Sequence, residues 1–137
     1  MNRITITGNL GKDPETRYIP SGDAVTNFSV AVNEHWTGKD GKPAERTAWY
    51  RVSAFGKLGE NVAKFLHKGS RVLVEGRLNA DPQTGGPRIF TRTDGSAGSS
   101  FEITANMVEF LDRKPAGDNG EAAAAETAVE GEPEIPF

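Results

Sequence analysis

TAWYRVSAFGKLGE, residues 47–60, decides how the rest of the chain is read. Its first half is rich in β-branched and aromatic residues, the composition of a strand, yet Arg51 stands in the middle. Side chains alternate along a strand, so Trp49, Arg51, Ser53 and Phe55 share one face while Tyr50, Val52 and Ala54 share the other. The second face is a core face. The first mixes flat rings with a cation. A strand buried on both sides, with Arg51 reaching out at an edge, would put the same rings in the core. Against that, Tyr50, Val52 and Ala54 already supply a core, and burying Arg51 without a partner costs several kcal/mol. Wet rings with a cation between them suit single-stranded nucleic acid: a base stacked on an aromatic is worth roughly 1 to 3 kcal/mol, and arginine pairs with phosphate. At a rise of about 3.3 Å per residue, Trp49 and Phe55 stand roughly 20 Å apart and serve different nucleotides.

Outward from this strand, RITITGN (3–9) and VTNFSVAVN (25–33) alternate in the same way, with Ile4 and Ile6, then Phe28, Val30 and Val32, on core faces. The turn-rich connection between them has room for a short strand near Thr16 to Ile19. EHWTGKDGKPAER (34–46), with its glycines, proline and charges around Trp36, reads as a mobile, charged loop. On the other side, Leu58, Val62, Phe65 and Leu66 form one helical stripe, with Gly69 as the expected stop. SRVLVEGRLNA (70–80) is a strand in which Gly76 marks a bulge or sharp bend. Residues 81–100 are turn-rich around a short extended piece, Arg88 to Thr93, and FEITANMVEFL (101–111) closes with a strand. This order predicts an all-β fold: a five-stranded oligonucleotide-binding (OB) barrel, residues 1–112, with one helix between its third and fourth strands.

Beyond it the composition changes. All 16 Lys and Arg fall in residues 1–114 against 13 Asp and Glu, a balance of +3, whereas residues 115–137 carry six acids and no base. Residues 113–131 are expected to be a disordered acidic linker, too poor in large apolar side chains to offset its ordering entropy. The last six residues, EPEIPF, join the acids Glu132 and Glu134 to the apolar Ile135, Pro136 and Phe137. Such a tip suits a partner pocket with an apolar floor and a cation; an acidic tail that merely solubilises is the alternative.

Chemistry other than binding finds little support. The chain has no cysteine, which excludes thiolate metal sites and thiol nucleophiles and fits a reducing compartment. There is no Walker loop, and His35 and His67 stand apart with no ligand spacing, so neither a cofactor nor a metal is expected and the protein is read as no enzyme. Glu75, Asp81 and Glu102 read as solvated strand-end charges. The start, MNRITITGNLG, lacks a signal-peptide apolar run, and no stretch reaches the roughly 18 apolar residues of a membrane span, so the cytoplasm, at the nucleoid, is the expected location and no membrane partner is expected.

ITGNLGKDPETRYIPSG, NFSVAVNE, TAWYRVSAFGKLGENVAKFLHKGSRVLVEGRL and the terminal IPF, in this order, resemble the bacterial single-stranded DNA-binding protein family over about residues 1–112 and the last few. The resemblance implies an OB fold, a homotetramer wrapped by single-stranded DNA without strong sequence preference, and a role in replication, recombination and repair. It implies that Trp36, Trp49 and Phe55 stack on bases, and that the tip docks replication and repair proteins. Where the family often has a tryptophan after the fourth strand, this chain has only Phe90, either a substitute or a packing residue, so Arg88 and Arg92 are expected to add phosphate contacts. Lys57, Lys64, Arg71 and Arg77 are further basic candidates. GEPEI replaces the consecutive aspartates of many members, which implies weaker partner binding. A dimeric primosomal relative, an RNA-binding cold-shock-like protein and an enzyme's substrate module remain the alternatives.

Overall fold

The structure, a computed structural model, describes residues 1–112; the linker expected over 113–131 and the tip over 132–137 lie outside the described residues. The elements are β1 (Ile4–Leu10), β2 (Glu15–Tyr18), β3 (Ala24–Thr37), β4 (Pro43–Phe55), α1 (Gly56–Phe65), β5 (Arg71–Asn79), β6 (Arg88–Thr91) and β7 (Ala97–Phe110). Five of the strands close a barrel. β1 pairs with β3 and β5, β3 with β4, β7 with β5, all antiparallel, and the circuit is completed by a parallel pairing of β4 with β7. β2 adds to the free edge of β3, and β6 folds back on β7 as a hairpin. With α1 between the third and fourth barrel strands, this is the OB arrangement that the element order predicts.

Alternation explains the core. Phe28, Val30, Val52, Val72, Val74 and Ile103 point inward and are buried, and Val62 and Leu66 close one end of the barrel from the helix side. Burial of each such side chain stabilises the fold by about 1.5 to 3 kcal/mol. The helix is pinned as well as packed: the buried Thr26 Oγ1 donates to the Gly59 carbonyl at 2.8 Å. Gly76 sits where β5 shifts register against β7, and a Cβ there would drive into the Thr104 carbonyl and lie 2.9 Å from Ala105 Cα. The bulge or bend expected at this glycine is this register shift, where two backbones approach closely.

Three expectations need correction. Residues 34–46 are no loop: β3 and β4 continue pairing out to Thr37 and Pro43, forming a hairpin arm beyond the barrel. Apolar alternation ends at Val32, but cross-strand polar contacts carry the ladder on. Arg46 Nε donates to Glu34 at 2.6 Å, Thr47 Oγ1 to Asn33 at 2.8 Å, and His35 Nδ1 lies 3.4 Å from Glu45. Only Gly38 to Lys42 turn, closed by the Gly38 N–H on the Lys42 carbonyl at 2.8 Å. The helix stops at Phe65, ahead of Gly69, because Leu66 is already extended; Phe65 is exposed and its ring meets Phe110 at 6.0 Å. Finally, β7 starts at Ala97, since 97–100 pair with β6. In the turn of that hairpin the Ser96 hydroxyl and N–H donate to the Asp94 carboxylate, which holds its pKa below the ordinary carboxylate value.

Candidate nucleic-acid interface

β4 places the two rings as its alternation requires. Val52 and Ala54 are buried, while Trp49 and Phe55 are 53% and 48% exposed on the outer face, with Arg51 and Ser53 between them. Small and polar neighbours leave these side chains uncovered. On β3 the register sets Ala31 beside Trp49, Ser29 beside Arg51 and Asn27 beside Ser53, whose hydroxyl donates to Asn27 Oδ1 at 2.7 Å. On β7 the parallel register sets Glu102 beside Arg51 and Thr104 beside Ser53; next to Thr104, on β5, stands Arg77. The outer face of β3, β4, β7 and β5 is thus one polar surface with an aromatic at the middle of β4, Trp49, and another at its end, Phe55.

Trp49 is held from below. The N–H of Gly11 bonds the Ser29 carbonyl at 3.1 Å, and this glycine lies under the indole: a Cβ on it would meet Cζ3 and Cη2 at 2.6 and 2.8 Å. Opposite, the β6–β7 hairpin brings up Phe90. Its ring lies over Gly98, its register partner, and between two guanidiniums, Arg88 at 5.7 Å and Arg92 at 5.6 Å from its centroid. Phe90 is therefore both packed on its own hairpin and partly open. Trp49, Arg51, Arg88 and Phe90 meet in a groove of about 280 Å³, lined further by Ser29, Tyr50, Ser99 and Ser100. Two rings, a guanidinium from each of β4 and β6, and small hydroxyls lining one groove match what stacked bases and phosphates ask of a surface.

The remaining candidates are spread more widely. Trp36 is 47% exposed on the arm, with the Arg46 guanidinium 5.4 Å from its centroid, and by the two-residue period it belongs to the face of Val30 and Val32, opposite that of Trp49. It is not brought into the groove. Phe55 and the exposed Lys57 lie where β4 gives way to α1. Lys64 is exposed in the last turn of α1, with Nζ 5.4 Å from the Phe65 centroid. Arg71 is exposed at the start of β5; its partner Asn9 also pairs with Ala31, so it stands three strands around the wall from Trp49. Arg92 donates Nη1 to the Ala97 carbonyl, so part of its hydrogen-bonding is spent inside its own hairpin.

Charge within the groove is uneven. Among the described residues Arg51 makes no ion pair, whereas Arg88 Nη1 lies 3.5 Å from Glu102 Oε2. Glu102 is not the solvated strand-end charge of the sequence reading: its side chain is 22% exposed and the same oxygen accepts the Ser100 hydroxyl at 3.0 Å. Gly11, Gly98, Ser29, Ser100 and Glu102 are the site residues that sequence reasoning missed. Gly11, Ser29 and Glu102 act through neighbours far along the chain, and Gly98 and Ser100 through the pairing and fold of one hairpin strand, so no local pattern marks them. Among the described residues no three His, Asp or Glu gather as a metal site.

Residues 1–111 match the model of the single-strand binding protein family. Over 111 residues, 81% of this chain, the sequence is 38% identical to single-stranded DNA-binding proteins of Neisseria meningitidis serogroups A and B, covering 60% of each. It is 42% identical to that of Xanthomonas axonopodis pv. citri, covering 58% of it. The match therefore spans about three fifths of the length of these relatives. The fold is similar to the crystal structure of a small single-stranded DNA-binding protein from Streptomyces coelicolor, with a TM-score of 0.64 and 25% identity over 79% of this chain and 92% of that one.

Proposed function

The chain belongs to the single-strand binding protein family, and on that premise we propose that it binds single-stranded DNA with little sequence preference, as a binding protein and not an enzyme. The observation that carries this reading is the groove lined by the rings of Trp49 and Phe90 together with the guanidiniums of Arg51 and Arg88. Every base has a π-face, so rings grip a strand whatever its sequence; a duplex keeps its bases stacked inward and offers them nothing. Arg51 and Arg88 take phosphates in the groove, with Arg77 and Arg92 beside it. Phe55 and Lys57 extend the track along β4 toward the helix, Arg71 adds a phosphate contact further around the wall, and Trp36 on the arm stacks a base outside the groove. Such binding weakens with salt by a log–log slope of about 0.7 for each phosphate neutralised.

The finer reading is that the protein assembles as a homotetramer, coats and protects single strands during replication, recombination and repair in the cytoplasm at the nucleoid, and recruits partner proteins through Glu132, Glu134, Ile135, Pro136 and Phe137. The resemblance of the terminal EPEIPF supports the last element. No helix among the described residues is long and apolar enough to cross a membrane. An RNA-binding role is the rival for the same groove, since stacking alone does not separate the two sugars.

Intrinsic fluorescence tests the proposal, because Trp36 and Trp49 are the chain's two tryptophans. Oligo(dT) is expected to quench the emission and duplex DNA of equal length to leave it unchanged, with affinity falling as salt rises. Quenching by both forms, or by neither, would overturn the reading. Stronger quenching by oligo(U) than by oligo(dT) would replace it with the RNA-binding one.

A further inference from the structure

A carboxylate in the middle of a surface that takes phosphates calls for a reason. Glu102 stands beside Arg51 across the parallel β4–β7 pair, holds Arg88 at 3.5 Å through Oε2, and is fixed by the Ser100 hydroxyl at 3.0 Å on that oxygen. It is the more covered partner of the pair: the Arg88 side chain is 55% exposed, that of Glu102 22%. Arg88 lines two hollows at once, the groove with Trp49, Arg51 and Phe90 on one side and a second one, of about 260 Å³, with Asn79, Asp81 and Glu102 on the other. The guanidinium on its long stem thus sits at a boundary, tethered from the acidic side and open to the groove.

We propose that Glu102 is an internal counter-ion, which occupies Arg88 in the free protein and is exchanged for a DNA phosphate on binding. This rests on the single-strand reading above. An ion pair with one partner this exposed is weak, so a phosphate entering the groove displaces it readily. The exchange also has a signature in salt dependence. An arginine already neutralised by a carboxylate carries little condensed salt, and its transfer to a phosphate leaves Glu102 behind as a new uncompensated charge. Fewer ions are therefore released in net than the number of phosphate contacts implies. The carboxylate lowers both affinity and salt sensitivity, and it speeds release by offering Arg88 another partner.

Glu102→Gln tests this, because the amide keeps an oxygen for the Ser100 hydroxyl and removes only the charge. In oligo(dT) titrations across a salt series, the variant is expected to bind about two- to fivefold tighter at low salt, the range an exposed ion pair accounts for. Its log–log salt slope is expected to steepen by about 0.7, one more phosphate neutralised by an uncompensated cation. In an Arg88→Gln background the Glu102→Gln change should lose this effect. Unchanged or weaker binding with an unaltered slope, in a variant with the wild-type melting temperature, would overturn the proposal and leave Glu102 as a structural strut. A gain that persists without Arg88 would overturn it too, by moving the effect to general charge. If the wild-type chain fails to bind oligo(dT), the single-strand reading falls first and this inference with it, an outcome visible in the same titration.

Discussion

Trp49 bears the sharpest expectations at the scale of single residues. It is half exposed, it lines the groove, and the buried neighbours on its strand do not depend on it. Trp49→Ala is therefore expected to weaken oligo(dT) binding by about 1 to 3 kcal/mol, read by fluorescence anisotropy of a labelled oligonucleotide, with an unchanged far-ultraviolet circular dichroism spectrum. Unaltered affinity would remove Trp49 from the interface. Gly11 supplies an independent handle on the same ring. Its Cβ would press on Cζ3 and Cη2, the far end of a side chain that swings aside without moving backbone. Gly11→Ala should thus lower oligo(dT) affinity severalfold and shift the tryptophan emission while the melting temperature stays within a few degrees. A loss of stability equal to the loss of binding would show instead that the glycine serves the fold.

Among the elements, β5 and β7 depend on a seam that admits no side chain. Gly76→Ala forces the Thr104 carbonyl and Ala105 Cα away from β5, in backbone that has no rotamer to change. The expected cost is at least about 1 to 3 kcal/mol, measured as a lower midpoint of urea unfolding; an unmoved midpoint would mean the seam is looser than its geometry implies. This glycine was legible in the sequence because it interrupts a strand that otherwise alternates cleanly, and so were the barrel strands and the helix. The arm was not. Past Val32 the alternation of apolar and polar residues ends, and ion pairs such as Arg46 with Glu34 take over, a signal that needs the partner strand to be known. The site divides along the same line. Trp49, Arg51 and Phe55 follow from the period of one strand, whereas their meeting with Arg88 and Phe90 depends on the parallel register of β4 and β7 and on a hairpin that starts at Arg88.

For the molecule as a whole, charge is divided unevenly along the sequence. All 16 cations belong to residues 1–114, and the six acids of residues 115–137 face no base in their own stretch. If the body holds DNA and the tip holds proteins, deleting residues 132–137 should leave oligo(dT) affinity within about twofold, as screening beyond roughly 8 Å allows, and abolish co-purification of replication and repair proteins. Partners that still co-purify would leave the tip a solubiliser. The barrel seam has a consequence in time as well. β1 finds its partner β5 only through pairs such as Ile4 with Gly76, and the ring closes only when Tyr50 to Ser53 meet Phe101 to Thr104. Long-range pairings of this kind make folding slow. A chain emerging from the ribosome carries β4 and β5 with open edges until β7 has been synthesised, so nearly the whole barrel must exist before any of it is safe from sticking to another nascent copy.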